Sequence, residues 1–288
     1  MSKFNAGVIP RLILFAVLSA AASTPLQLFN SIFIEKLEGP PSFVSVPFLI
    51  YAISMKIVFG LGYVLFGHKL PFRNNILRAF AYIILVFISS YLTNILAMAG
   101  GDGEIISASF SLNIVIIDTI SYLVDGLLLG FLMKKYAKGM PSKPVQLTKG
   151  KLAVICIANG FIFSMLNIAA DLIAGLIDSS WRLCSILKVT PERAAFFNLI
   201  FFAFMILAGL IQPVWFRYCM PEDQPKTILF GIEWALTVWL PCVLIMIFFG
   251  TDIIKTLTYG AVYLLMIVLC VLIFRKLSQR LSPAGQNC

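Results

Sequence analysis

The chain has 288 residues, of which 60% are hydrophobic and 12% charged, and its formal net charge is +9. A soluble domain of this length carries about twice that charged fraction, and the mean hydropathy here is +0.96. Apolar runs of ~20 residues, each long enough to cross a ~30 Å hydrocarbon core as a helix, recur from end to end. A soluble fold is therefore excluded, and the sequence predicts an all-α polytopic membrane protein.

The positive charge and the cysteines exclude two further classes of function. Most lysines and arginines lie in short segments between apolar runs, which is typical of loops that orient a membrane protein and contact anionic lipid. The sequence has no basic patch with interleaved exposed aromatics, so nucleic acid is not a predicted partner. With one histidine, His68, and six cysteines that form no CxxC pair, the sequence predicts no metal site and no cofactor.

Eight apolar segments predict transmembrane helices in chain order. They lie at about 8–34, 43–66, 77–99, 110–133, 152–177, 195–216, 228–249 and 253–274. The first segment follows Lys3 and Arg11 and contains small residues, so it also resembles a secretory signal peptide. Its apolar stretch is long enough to span, which favours an uncleaved first helix, whereas cleavage would leave seven spans.

The connecting segments alternate in charge. Sixteen of the 22 basic residues fall on one side of the predicted bilayer, five on the other, and Lys56 lies inside a span. The positive-inside rule therefore predicts that both termini are cytoplasmic. Because the loops and the tail are short, a bacterial cytoplasmic membrane is favoured over an organelle.

The basic segment 134–151 divides the chain into 1–133 and 152–288, each with four predicted spans. This division predicts a four-plus-four layout joined by a cytoplasmic linker. The linker contains proline, glycine and lysine, as an exposed segment does. It is a candidate docking surface for a cytoplasmic protein, and its alternative interpretation is a solvated basic loop.

Lys56 is the most unusual residue of the predicted spans. It lies near the centre of the second span, within the stretch IYAISMKIVFG at 50–60. A lone charge at the bilayer centre costs about 2.5–3.5 kcal/mol on insertion scales. We therefore expect Lys56 to be paired, deprotonated or in contact with water.

The fourth span supplies partners for Lys56. Asp118, Tyr122 and Asp125 are spaced i, i+4, i+7, which places them on one helix face. The two carboxylates are separated by about 10 Å along the helix axis, and Lys56 lies between them in depth, nearer Asp125. A lysine between two acids can exchange partners as protons or cations pass, with Tyr122 orienting the carboxylates by hydrogen bonding. The motif GLLLG at 126–130 predicts a close approach of another helix.

Other spans carry polar residues at helical spacing. Asn167 and Asp171 share one face of the fifth span and are predicted to lie toward an outer vestibule, and Glu233 lies in the seventh span. The first span carries a polar stripe of Ser19, Ser23, Gln27 and Asn30, which is interpreted as a helix-packing surface. One intramembrane base thus accompanies four acids, so that three acids need a proton, water or a cationic ligand.

Residues 179–189, SSWRLCSILKV, are too polar to span the bilayer. They alternate apolar side chains with Arg182 and Lys188, as an interfacial amphipathic helix does. The sequence predicts such a helix between the fifth and sixth spans.

The surplus of intramembrane acids favours a transporter or permease for a proton-coupled or cationic small solute. In this hypothesis the binding residues are Lys56, Asp118, Tyr122, Asp125, Asn167 and Asp171. Two alternatives remain open. A non-catalytic assembly subunit would use the buried charges to fix helix register, and a lipid- or prenyl-modifying enzyme would use Asp118 or Asp171 as a base. No nucleotide-binding, zinc-protease or nucleophilic serine motif supports an enzyme.

Overall fold

The computed structural model describes residues 7–29, 46–92, 108–136, 144–186, 189–192, 194–221, 224–248 and 252–281. Within these ranges the regular secondary structure is helical, which confirms the predicted all-α class. The α-helices are α1 Val8–Phe29, α2 Val46–Phe66, α3 Asn75–Val86, α4 Ala108–Leu132, α5 Lys149–Ile177, the single turn α6 Leu183–Ile186, α7 Ala194–Cys219, α8 Gln224–Phe248 and α9 Ile253–Leu281. Two 3₁₀ turns, Gly67–Lys69 and Ser179–Trp181, and a π-helical turn, Phe87–Leu92, complete them.

Five of the described helices are long and apolar enough to cross a membrane. Their spanning segments are Val8–Leu26, Leu49–Lys69, Lys149–Ile177, Ala194–Cys219 and Ile253–Leu281. This supports an integral, multi-pass membrane protein, while the count of eight spans stays a prediction. Residues 30–34, 43–45 and 93–99 of the predicted spans, and 137–143 of the basic segment, lie outside the described residues.

Large apolar side chains remain exposed along these helices. Phe131, Leu199 and Leu176 are 65%, 69% and 86% exposed, respectively. In water such a surface would be unfavourable at about 25 cal/mol per Å² of apolar area. A hydrocarbon environment removes that cost, because lipid tails solvate these side chains.

Glycines set the closest helix contacts. α1 packs against α2 and α4, and α3 packs against α4. A Cβ atom added at Gly126 or Gly130 would lie 2.8 Å from a ring carbon of Phe80 or 2.9 Å from the Cα atom of Ile76, both on α3. The predicted close approach at the GLLLG motif is therefore confirmed, and α3 is the helix that approaches.

The later helices form a second set of contacts. α5 packs against α7 and α9, and α9 packs against α8. α2 contacts α8, and the π-helical turn 87–92 contacts both α7 and α8. At Gly62 on α2 an added Cβ would lie 2.4 Å from the Thr237 side chain of α8, so the two sets of helices meet closely there.

Basic side chains bind the carbonyl groups at several helix ends. The last carbonyls of a helix lack intrahelical donors and carry a partial negative charge, so cations are stabilised there. These contacts bring the start of α1 to the C-terminal end of α4, the residues just after α2 to that of α7, and the start of α5 to that of α9. The donor–acceptor pairs are Arg11 to Leu132 O at 3.2 Å, Lys69 to Cys219 O at 2.8 Å and Lys151 to Leu281 O at 2.7 Å.

Candidate functional site

Lys56 forms an ion pair with Asp125 inside the bundle. Its Nζ atom lies 2.5 Å from Asp125 Oδ2, and Ser19 Oγ donates a hydrogen bond to Asp125 Oδ1. Lys56 is the central residue of α2, Ser19 lies at the centre of α1, and Asp125 lies in the second half of α4. The three residues are only 1–3% exposed. Three helices therefore meet at one buried carboxylate that accepts a hydrogen bond on each oxygen.

Aromatic rings flank the Lys56 ammonium. Its Nζ atom lies 5.3 Å from the ring centroid of Tyr122 and 6.0 Å from that of Phe59. The Tyr122 ring also packs against Phe59 at 5.5 Å and against Phe87, the first residue of the π-helical turn, at 4.8 Å. A cation is attracted to a ring within about 6 Å, more strongly when water is excluded. Tyr122 thus contacts the pair through its ring, on the lysine side.

Asp118 lies two turns before Asp125 on the same buried face of α4. It is 7% exposed, and the seven-residue separation places it about 10 Å from Asp125 along the axis. Ser121 lies between the two acids at 5% exposure, and its Oγ has no hydrogen-bond partner among the described residues. The structure therefore brings Asp118, Tyr122 and Asp125 together on one stripe.

Asp171 belongs to a different group of side chains, which we call the Asp171 clasp: Asp171, Arg182, Leu183 and Tyr259. The Asp171 Oδ2 atom accepts hydrogen bonds from Arg182 Nε at 3.2 Å and from Arg182 Nη2 at 3.1 Å. Oδ1 accepts from the Leu183 backbone N–H at 2.7 Å and from Tyr259 Oη at 2.8 Å. The clasp ties α5 to the turn that follows it and to α9.

The clasp bears on two sequence-based predictions. Asp171 pairs with Arg182, which follows α5 in the chain and was not predicted as its partner, while the role of Asp171 in binding stays a prediction. Residues 179–186 form a 3₁₀ turn and the one-turn α6 rather than one continuous interfacial helix, while 187–188 lie outside the described residues. Lys255 of α9 donates to Ser180 Oγ at 2.6 Å, so this segment is held against the bundle.

Asn167 lies one turn before Asp171 on α5 and is 3% exposed. Its Nδ2 donates to the Phe163 carbonyl of its own helix at 2.7 Å. Its Oδ1 has no hydrogen-bond partner within the described part of the chain. Asn167 and Asp171 are thus not part of the Lys56–Asp125 hydrogen-bond group, and the six predicted residues divide between two places in the fold. Glu233, on α8, is half-buried.

Sequence reasoning missed Arg182, Tyr259 and Ser19 as partners of the buried acids. A tyrosine within an apolar run gives no signal of its own. Ser19 was interpreted as a packing residue, although its position at the centre of the first span matches the depth of Lys56.

These apolar helices and buried polar groups define a multi-pass integral membrane protein. Comparison with known proteins finds no matching family model, no matching curated protein and no matching solved structure. Any more specific function rests on the chemistry of the buried groups.

Proposed function

We propose that this protein is a small-solute transporter or permease in which Asp125 is the proton-accepting group and Lys56 is its internal counter-ion. The observation that carries the proposal is the ion pair itself. A lysine at the centre of α2 faces a carboxylate with 1% exposure, and intramembrane ionisable residues mark ion or proton pathways by default.

Protonation of Asp125 is the proposed switch. The carboxylate holds α1 and α2 to α4 through Ser19 and Lys56, so a proton on it removes the negative charge that attracts Lys56. Asp118, on the same face of α4, is the proposed alternative acceptor. A ligand can shift an equilibrium between two states only by its different affinity for them. Here the ligand is the proton, and its affinity for Asp125 differs between the state in which Asp125 is paired with Lys56 and the state in which it is not.

A cationic solute is the second form of the same proposal. Such a solute would compete with Lys56 for Asp125, since both are positive. The proposal also includes eight spans in a four-plus-four layout, supported by the contacts within α1–α4 and within α5–α9, which α2 and α8 join to each other. It includes cytoplasmic termini in a bacterial cytoplasmic membrane, supported by the basic side chains gathered at one set of helix ends.

Water access beside the ion pair tests this function without knowledge of the solute. We would place Ser121→Cys in a background without the six native cysteines and label it with membrane-impermeant thiol reagents in right-side-out and inside-out vesicles at several pH values. The serine is buried between Asp118 and Asp125, and its replacement leaves the ion pair intact. We expect labelling from both sides, at rates that change with pH.

Asp125→Asn should remove that pH dependence, while Asp178→Asn, an exposed carboxylate outside the spanning segments, should leave it unchanged. A cysteine at 121 that stays unlabelled from both sides at every pH, in folded protein, would make the ion pair structural. That result would favour an assembly subunit in which buried charges fix helix register. Labelling from one side only would favour an enzyme pocket.

A further inference from the structure

α5 and α9 lie side by side and run in opposite directions. At one end of the pair, Lys151 Nζ on α5 donates to the Leu281 carbonyl at 2.7 Å. At the other end, Tyr259 Oη on α9 donates to Asp171 Oδ1 at 2.8 Å. These two contacts are about 30 Å apart along each helix at 1.5 Å per residue. They therefore fix the antiparallel register, and residues of the two helices can be compared by depth.

Three basic side chains meet at the Lys151 end, and we call Lys151, Lys276 and Arg280 the α9 basic cluster. Lys276 and Arg280 are one turn apart on α9, so they project from the same face of the helix, and both are exposed. The Lys151 ammonium lies at the carbonyl of Leu281, the residue after Arg280. Like charges at this spacing repel each other. The negative end of the α9 dipole offsets part of that repulsion, and a bound anion would offset the rest.

The two helices supply no nearby acid for this cluster. α9 contains no aspartate or glutamate between Ile253 and Leu281. The single acid of α5 is Asp171, about 30 Å away at the other end of the pair. On α8, Glu233 is two residues from Gly231, which packs on Val268 of α9, so it lies about 10–15 Å in depth from the cluster. An anion that completes the charge of the cluster therefore comes from outside α5 and α9.

An exposed apolar surface adjoins the cluster. On α9 the face of Lys276 continues to Leu269 and Leu265, which are both exposed. On α5 the exposed side chains of Phe161 and Met165 lie at similar depths, because the two helices run antiparallel. Leu269 is about 10 Å from Lys276 along α9, which is less than the ~15 Å half-thickness of the hydrocarbon core. Cationic and apolar surfaces thus follow one another as the headgroup and acyl chains of a lipid do.

We propose that Lys151, Lys276 and Arg280 bind the phosphate group of an anionic phospholipid whose acyl chains lie along the exposed surface of α5 and α9. Charge complementarity selects an anion, since three cations meet where these helices supply no carboxylate. The adjoining apolar surface selects a lipid over a water-soluble phosphate, because headgroup and chains then meet matching surface at once. Basic side chains gathered between membrane helices bind lipid headgroups in this way.

The site goes beyond the proposed transport and does not depend on it, since the Lys56–Asp125 pair lies on other helices. A lipid bound there would join α5 to α9 at the end opposite the Asp171 clasp. Anionic lipid in the surrounding leaflet would therefore stabilise the second half of the chain, as any ligand of the folded state does.

Lipid titration of the purified full-length protein in dodecyl maltoside tests the site. The probes are palmitoyl-oleoyl phosphatidylglycerol, phosphatidylcholine with the same chains, and glycerol phosphate, which has the phosphate but no chains. The apparent melting temperature and the number of lipids retained in native mass spectrometry are measured. We expect phosphatidylglycerol to raise the melting temperature at concentrations about tenfold lower than phosphatidylcholine, and glycerol phosphate to have no effect.

The double variant Lys276→Gln, Arg280→Gln removes two of the three cations and keeps Lys151. It should need about tenfold more phosphatidylglycerol for the same rise, because each basic side chain adds to the attraction of an anionic lipid. The charge-preserving variant Lys276→Arg, Arg280→Lys should respond as wild type does. The matched control is Lys134→Gln, Lys135→Gln, which removes two exposed lysines just after α4 and should also leave the response unchanged.

Equal effects of the two lipids would overturn the proposal, as would the same loss of response in both glutamine double variants. A response to glycerol phosphate that matches the response to phosphatidylglycerol would replace the lipid by a water-soluble phosphate ligand. Arg280→Gln alone asks the same question if the double variant does not fold. Failure here leaves the pH-dependent labelling at position 121 untouched, and failure of that labelling leaves the lipid response measurable, so the two proposals fail separately.

Discussion

Asp125 and Asp171 are both buried carboxylates paired with a cation, yet their surroundings differ. Asp171 accepts four hydrogen bonds, two from Arg182, one from a backbone N–H and one from Tyr259. Asp125 accepts two, one from Lys56 and one from Ser19. The Arg182 side chain is 41% exposed, whereas that of Lys56 is 4% exposed.

This difference separates a structural contact from a switchable one. A carboxylate offers about four lone-pair sites, so the acceptor capacity of Asp171 is filled, with two guanidinium nitrogens donating to Oδ2 and two further donors on Oδ1. Among the described residues, Asp125 has two donors and faces a single flexible ammonium. If one of the two acids changes partner during function, we expect it to be Asp125.

The largest effect should come from Lys56→Met, which leaves the Asp125 charge buried. Removing one partner of a buried ion pair costs about 3–5 kcal/mol. We expect a clear fall in the apparent melting temperature of the purified protein in detergent, and partial recovery in the double variant Lys56→Met, Asp125→Leu. Lys149→Met removes an exposed lysine and serves as the control. A Lys56→Met protein as stable as this control would contradict a desolvated charge at Asp125.

Asp171→Ala should come next. It removes the acceptor of Leu183 N and of the Tyr259 hydroxyl, and each buried donor left unsatisfied costs about 1–3 kcal/mol. Arg182 can turn to solvent, so the total loss should stay below that of Lys56→Met. Asp171→Asn keeps a carbonyl oxygen as an acceptor on one side of the clasp. Its stability should therefore lie between those of wild type and Asp171→Ala. Thermal unfolding of the three proteins measures this order, and equal stability of all three would contradict a structural clasp.

Ser19→Ala should have a smaller effect, about 1.5–3 kcal/mol, because it removes one hydrogen bond to a charged group. Ser23→Ala is the matched control, since within the described residues the Ser23 hydroxyl donates to carbonyls of its own helix alone, at 3.0 Å to Ser19 O and 3.1 Å to Ala20 O. The measurement is again the melting temperature, together with the pH dependence of labelling at position 121. Identical behaviour of the two alanine variants would remove Ser19 from the Asp125 site.

The smallest effect should come from Asp178→Asn, at an exposed carboxylate that is stabilised mainly by Ser180. Hydrogen bonds from the backbone N–H and side chain of Ser180 hold the pKa of Asp178 below its usual value of 3.8. Because the folded-state pKa is lowered, the stabilisation is present above the usual pKa and is lost as pH falls through the folded value. The stability difference between wild type and Asp178→Asn should therefore be small and constant near neutral pH, begin to fall below about pH 4 and vanish only once Asp178 is protonated in the folded protein as well. A difference that persists in stronger acid would contradict this cause.

The parts of the fold that could be predicted were those set by local composition. Long apolar runs predict where the helices lie. Because each helical residue adds a fixed rise, the depths of Lys56 and Asp125 in the bilayer can be compared from the sequence, and they are similar. The clasp could not be predicted in this way. Its geometry depends on how the backbone turns at residues 178–183. From sequence alone, a polar segment beside the membrane is equally consistent with such a turn and with an interfacial helix.

The contact between α5 and α7 illustrates the same limit: an added Cβ at Gly209 would lie 2.8 Å from the Gly160 Cα atom, and Asn159 Nδ2 donates to the Gly209 carbonyl at 2.7 Å. Periodicity places Asn159 and Asn167 on one face of α5, but it does not reveal that α7 crosses that face at Gly160 and Gly209. The missing N–H of Pro213 is visible in the sequence, whereas the donor that replaces it comes from another helix. Contacts between distant segments of chain required the structure.

The Lys56–Asp125 pair also has a consequence for how the protein is made. Its two residues are 69 positions apart in the chain, and at a synthesis rate of about 5–20 residues per second roughly 3–14 s separate them at the ribosome. During that interval we expect α2 to enter the membrane before its partner Asp125 has been made. The mean hydropathy of 1.9 over an 18-residue window of Leu49–Lys69 favours insertion of the helix during this wait, and we expect the arrival of α4 to complete the charge pair after insertion rather than before it.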